Sequence, residues 1–239
     1  QEEIIQALND LPATGGEVVI LDGTYSINAS IIIPYDNVTI RGNGSATILK
    51  RMYNNGSATE GSTAGGVIYV NERDSCKIQD LQIDGNGNIQ NHINNISIKL
   101  RYTNNSAITN VISYNNNRGA SISVIYSSNS IIASNICYSD TQNASNGINI
   151  GYSSNIIVGN NICHGFPGNG IVLYYADYTL VTGNISNNNN SGIRLSGYSN
   201  YNTVTGNTCI RGGGTPEDYT TNQYTILLSG TGNDYNLIS

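Results

Sequence analysis

Charge is what this chain has least of. Only 10 of its 239 residues are Lys or Arg and 16 are Asp or Glu, so solubility must rest on Asn, Ser, Thr, Tyr and Gly. The net charge of −6 argues against a nucleic-acid partner, because phosphate binding needs clustered Lys and Arg. No apolar run approaches the roughly 18 residues of a membrane span. Four cysteines are too few for a disulfide scaffold. Ala, Leu and Lys are sparse beside Ile, Val, Thr and Tyr, which favours strands over helices. One domain is the expectation for an all-β chain of this size. The chain opens on Gln1 with no signal-peptide pattern, which reads as a mature or trimmed fragment.

What is present in quantity is a repeat. A short apolar run ending in Asn recurs as "AITN", "IIASN", "IIVGN", "LVTGN" and "TVTGN", ending at Asn110, Asn135, Asn160, Asn184 and Asn207, in steps of 25, 25, 24 and 23 residues. Between these runs lie "GASISV" from Gly119, "GINI" from Gly147, "GIVL" from Gly170 and "GIRL" from Gly192. A third short run, "VIS" or "NIC", follows the Asn. Three short strands and three turns per repeat make one coil of a parallel β-helix, whose coils stack at about 4.8 Å. The expected fold is all-β: a right-handed, single-stranded parallel β-helix over residues 1–239. Residues 1–15 form an amphipathic helical cap, residues 16–104 coils with longer loops, and residues 105–239 regular coils. The final "NDYNLIS" reads as half of another coil, with more to follow in the parent protein.

Stacking turns equivalent residues into columns. The five asparagines are expected in one turn column, because Asn tolerates the left-handed region and bonds locally. Glycine before the "GIxI" strand is expected to permit a sharp entry. By alternation, Ile148, Ile150, Ile171, Leu173, Ile193 and Leu195 point inward, and Asn149, Val172 and Arg194 outward. Tyr102, Tyr126, Tyr152, Tyr175 and Tyr198 form a column that is either an aromatic stack or a sugar-stacking strip. Cys137, Cys163 and Cys209 share an interior register. Cys163 and Cys209, two coils apart, are too distant to bridge; a Cys137–Cys163 bridge stays open. In residues 2–11, Ile4, Ile5, Leu8 and Leu11 share a helical face that would cover the open end of the helix, with Pro12 and Gly15-Gly16 ending it.

The segment from "GGEVVILDG" to "SATILK", with "IQDLQIDGNGN" at 78–88, resembles the start of the pectate-lyase-like superfamily of right-handed parallel β-helix proteins. Residues 105–239 resemble its generic repeats. The resemblance implies the fold and leaves the function open among polysaccharide lyases, glycoside hydrolases, uronan epimerases, phage tailspikes and non-catalytic surface proteins. In polygalacturonases a Gly-His-Gly precedes one strand and an Arg-Ile-Lys lies on the next coil. Here His164-Gly165 and "GIRL" with Arg194 are similar, but Ser196 replaces the lysine. The paired aspartates that family needs would fall near Asn146-Gly147, so that activity is not carried over. The calcium-binding aspartates of pectate lyases are not evident, and no metal or cofactor is expected.

In such a fold the long loops before the "GIxI" strands frame the sugar groove: about 84–95, 113–119, 138–147, 164–169, 187–191 and 211–224. Their ionisable residues are Asp84, His92, Arg118, Asp140, His164, Arg211, Glu217 and Asp218, with Lys99, Tyr174 and Arg194 at outward strand positions. Asp84, Arg118, Asp140, His164 and Arg194 are expected on one face of successive coils, about 19 Å from first to last. Hydrolysis would use Asp84 and Asp140 as its carboxyl pair. Elimination would use Arg194, Arg118 and His164 as cation and base. Arg118, Tyr174 and Lys99 are the candidate substrate-binding residues. Nine Asn-x-Ser/Thr triplets, at Asn28, Asn37, Asn43, Asn55, Asn95, Asn104, Asn143, Asn184 and Asn189, fit a glycosylated, exported protein. The expected function is cleavage of a polysaccharide outside the cell or at its surface. The alternative is a non-catalytic surface or adhesion module acting as a spacer or glycan-binding scaffold. Ice binding would need a regular Thr-x-Thr face, which is lacking. Oligomeric state is open.

Overall fold

A computed structural model of the chain describes residues 1–53, 66–87, 95–139, 145–211 and 224–239. Its strands are parallel throughout and coil around one core on three faces. Face 1 is an eight-stranded sheet: Ile31–Ile32, Gly66–Asn71, Ile96–Arg101, Ile122–Ile125, Asn146–Gly151, Asn169–Tyr174, Ser191–Ser196 and Tyr224–Ser229. Faces 2 and 3 follow in each coil, as in Ile131–Ala133 and Ile136–Tyr138, or Ile157–Gly159 and Ile162–His164. Two longer strands, Lys77–Asp84 and Ala107–Tyr114, run through both faces without interruption and join them into one sheet.

The register explains why isoleucine recurs. Ile31, Ile68, Ile98, Ile122, Ile148, Ile171, Ile193 and Ile226 pair in sequence along face 1. They form an inward column that is fully buried up to its last member. β-Branched side chains suit such a column because they pack on a pleated surface with little rotamer freedom to lose. At the other end, helix Glu2–Asn9 sends Ile4 and Leu8 into the same core, with Ile5 and Leu11 partly buried. Gln1 ties it to the first coil, donating from Nε2 to the Ala29 carbonyl at 2.8 Å and accepting from the Asn28 backbone at 2.7 Å. Among the described residues no helix is long and apolar enough to cross a membrane.

Two sequence expectations are corrected. The asparagines occupy two adjacent columns. Buried Asn135, Asn161 and Asn184 and half-buried Asn207 form one ladder, linked by amide hydrogen bonds of 3.0, 3.0 and 2.9 Å. Asn110 and Asn160 sit one residue earlier, in the left-handed position that Ser134, Gly183 and Gly206 fill in other coils. The "GIxI" glycines are not there for a sharp entry either. Gly119, Gly147, Gly170 and Gly192 have no left-handed backbone. At Gly147 a Cβ would lie 2.8 Å from the Cys163 sulfur, and at Gly192 3.0 Å from the Cys209 Cβ. These two glycines let face 1 approach face 3 closely.

That approach concerns the thiols. Ser113, Cys137, Cys163, Ser186 and Cys209 make one inward column on face 3. All four cysteines are free, with Cys76, Cys137 and Cys163 buried and Cys209 half-buried. The hydrogen bond with Cys137, then burial, pushes Cys163 up, and burial lifts Cys209 from 9.0 to about 11. The folded state thus favours neutral thiols, whereas the unfolded chain ionises them near the ordinary value. Stability from this source is complete below about pH 8.5 and is lost as pH rises through the folded-state values. Denaturant midpoints measured from pH 8 to 11 should therefore fall. A flat profile would overturn this expectation, as would fewer than three free thiols on titrating denatured, unreduced protein.

Candidate functional site

Parity decides what the outside of face 1 displays, because alternate side chains of a strand leave opposite sides of the sheet. One outward column runs Tyr69, Lys99, Ser123, Asn149, Val172, Arg194 and Leu227. The next runs Asn71, Arg101, Ile125, Gly151, Tyr174, Ser196 and Ser229. In the N-terminal coils this surface is covered. Tyr69 is 1% and Lys99 3% exposed, and the Lys99 ammonium lies 5.7 Å from the Tyr69 ring centroid.

Toward the C-terminal coils the surface opens into a groove of about 470 Å³ over Asn149, Val172 and Arg194. Asn146 and Asn169 form one side, with the Asn169 amide donating to Asn146 at 2.7 Å. Tyr174, Ser196 and Ser229 form the other. Gly151, one coil before Tyr174 in the same column, leaves space beside that ring. The Arg194 Nε donates to the Ser229 hydroxyl at 2.9 Å. Its two terminal nitrogens make no hydrogen bond with any described residue, and none of the described lining residues is a carboxylate. Tyr174 is held edge-on by Tyr152 at 5.4 Å and Tyr175 at 4.6 Å. The Tyr174 hydroxyl, with partial desolvation, pushes Tyr152 up to about 12. A cation and an aromatic side chain thus share a groove whose described lining holds no acidic group.

The other candidates do not join them. Lys50, Asp84, Tyr114, Tyr138, His164 and Asn187 form an outward column on face 3, where Tyr114 and Tyr138 stack at 5.3 Å. Asp84 is engaged there. Its Oδ2 lies 3.6 Å from Lys50 Nζ, and its Oδ1 accepts from the Asn86 backbone at 2.9 Å and the Asn115 amide at 3.2 Å. His164 is half-buried three steps along this column, roughly 14 Å from Asp84 by strand spacing. Arg118 is exposed in the following turn with φ 56. Of the described members of the expected strip, Arg194 alone faces the face 1 groove, and the substrate-binding candidate Tyr174 joins it. Lys99 shares the Arg194 column four steps away, about 19 Å. Asp140, His92, Glu217, Asp218 and the triplets at Asn55 and Asn143 lie outside the described residues. The described members of the strip are divided because side chains of successive coils leave from different faces, Asp84 and His164 from face 3 and Arg194 from face 1. Asn149, Ser196 and Ser229 were missed, although each shares the outward parity of Arg194. Among the described residues no cluster of His, Cys, Asp and Glu could hold a metal ion. The triplets also separate: Asn95, Asn184 and Asn189 are buried, whereas Asn28, Asn37 and Asn43 are exposed.

Known proteins bear on the fold more than on the site. No curated protein matches the chain in sequence. Among solved structures, the exopolygalacturonase of Thermotoga maritima superposes with a TM-score of 0.67 at 12% identity, covering 86% of this chain and 61% of its own. This chain thus spans less than two thirds of that enzyme's length. The alginate lyase of Paenibacillus sp. FPU-7 superposes with a TM-score of 0.64 at 15% identity, covering 98% and 91%. The A-module of the mannuronan C-5 epimerase of Azotobacter vinelandii gives 0.55 at 17% identity, covering 97% and 85%. At such identities the likeness is one of fold. The family model described as the right handed beta helix region matches residues 116–237, and the stacked parallel coils make the same assignment from geometry: the chain belongs to the right-handed β-helix family.

Proposed function

We propose that the protein is carbohydrate-active outside the cell and holds an acidic polysaccharide along the face 1 groove. The observation that carries this reading is the Arg194 guanidinium, fixed through Nε by Ser229 with its terminal nitrogens directed to no described protein partner. A guanidinium edge suits a carboxylate, and Tyr174 in the same groove offers a sugar ring an aromatic surface. Asn146, Asn149 and Asn169 supply the neutral donors and acceptors that hydroxyl groups need.

Glycan binding is better supported than hydrolysis. Two carboxyl groups about 5–10 Å apart would be required, and Asp84 is spent on Lys50. A second reading, cleavage by elimination, needs one cation beside the sugar carboxylate and one base. Arg194 and Tyr174 line the same groove, which favours it over hydrolysis.

Retention of the protein in native gels containing polygalacturonate or alginate tests the proposal. Arg194→Ala should weaken retention by about tenfold or more, the scale of lost hydrogen bonds to a charged group, with an unchanged melting temperature. Equal retention of wild type and Arg194→Ala would place the site elsewhere. Incubation with the same polymers, read by ultraviolet absorbance of unsaturated ends and by reducing ends, separates elimination from hydrolysis; retention without either signal leaves the non-catalytic scaffold.

A further inference from the structure

A second groove of about 500 Å³ runs over the turn between faces 1 and 2, on the far side of the Tyr152, Tyr174 and Tyr175 cluster from the Arg194 groove. One wall is the tyrosine column. Tyr102, Tyr126, Tyr152 and Tyr175 stack with centroids 5.0 Å apart at each step. The floor is Ser128, Ser154 and Asp177, paired coil to coil in parallel bridges. Because the rings stack along the axis, their faces are occupied by one another. They turn ring edges rather than faces outward, and Tyr126 and Tyr152 remain 41% and 40% exposed.

The four tyrosines occupy a left-handed position of the turn. Each holds φ between 48 and 53°, a region costly for a large side chain. The next left-handed position is Asn105, Asn129 and Asn155 beside Tyr102, Tyr126 and Tyr152, and Tyr178 beside Tyr175; asparagine adopts it at little cost. What Tyr126 and Tyr152 add is a row of ring edges opposite a floor of serine hydroxyls, repeating at the coil spacing of about 4.8 Å.

We propose that this groove is a binding site for a linear neutral polysaccharide, separate from the acidic-glycan site and not dependent on it. A polymer with the same hydroxyl-bearing unit repeated at close to the coil spacing can make the same contacts in successive coils; a peptide of varied side chains cannot. None of the described lining residues is Lys or Arg, and Asp177 contributes a negative charge. A polyanion, whether nucleic acid or uronate chain, therefore meets a lining of negative sign among the described residues.

Affinity electrophoresis of the full chain in galactomannan, xyloglucan or hydroxyethyl cellulose, with polygalacturonate as the acidic control, tests this. Tyr126→Asn installs the residue used in the neighbouring column, and Ser154→Leu fills the floor without altering a tyrosine. Each should weaken retention by at least one neutral polymer by about tenfold, the scale of one or two lost hydrogen bonds, at an unchanged circular dichroism spectrum. Arg194→Ala should leave that retention intact while affecting polygalacturonate alone, so failure of one site is distinguishable from failure of the other. The proposal is overturned if no neutral polymer retards the wild type, if both groove variants are retarded as strongly as the wild type, or if Arg194→Ala abolishes neutral binding.

Discussion

Asn161→Ala should cost about 3–5 kcal/mol, whereas Asn160→Gly, one residue away, should stay within about 0.5 kcal/mol. Asn161 is buried in the turn between faces 2 and 3. Its Oδ1 accepts from the Asn135 backbone N–H and the Asn135 amide, both at 3.0 Å. Its Nδ2 donates to the Ile132 carbonyl at 2.8 Å and to the Asn184 amide oxygen at 3.0 Å. Alanine would leave a backbone N–H and parts of two amides without partners in a site closed to water. An orphaned buried polar group costs about 1–3 kcal/mol. Asn160 is exposed and its conformation, φ 55, is one that glycine adopts freely. For a chain of this length the Asn161 loss corresponds to a fall of about 10 °C in Tm. Thermal melts of the two variants side by side decide it. Equal shifts would mean that the buried ladder carries no more stability than the exposed column.

Gly170→Ala should be nearly as damaging, by about 3 kcal/mol, although it adds one methyl group to a strand. The new Cβ would stand 2.0 Å from the Ser186 hydroxyl and 2.7 Å from both the Asn189 amide nitrogen and the Gly192 carbonyl. These atoms are a bonded set: Ser186 donates to Gly192 at 2.8 Å, and Asn189 donates to Ser186 and to the Cys163 carbonyl, each at 2.9 Å. Relief by displacement would break buried hydrogen bonds on both faces. Ser186→Gly removes the nearest obstacle, so the double variant should be more stable than the sum of the single losses implies, by about 1–2 kcal/mol of coupling. Strict additivity in denaturant unfolding would show that the close approach of faces 1 and 3 is not what requires glycine here.

Most of the architecture was legible in the linear chain. Isoleucine at every second position, interrupted at intervals near one coil length, announces strands that bury one side and stack. The inward set Ile148, Ile150, Ile171, Leu173, Ile193 and Leu195 follows from parity alone, and all six are fully buried. The tyrosine column was equally visible, because a stacked solenoid turns sequence period directly into adjacency. The interior register of Cys163 and Cys209 likewise excluded a bridge between them.

Three-dimensional packing decided the rest. Coil length varies, and the variation is absorbed in turns rather than strands, so the repeated motif is offset by one residue at Asn110 and Asn160, and only hydrogen-bond register separates the ladder from the left-handed column. Glycine's role at 147, 170 and 192 depends on atoms of another face, such as the Cys163 sulfur and the Ser186 hydroxyl. Asp84, a candidate carboxyl by position, is engaged by Lys50 from the preceding coil. The site divided for the same reason. A coil has three outward directions, and the sequence determines in which coil a charge falls and the parity of its strand. Which direction His164, Asp84 and Arg194 face is set by where each chain segment bends, a property of turns whose geometry depends on the coils stacked above and below.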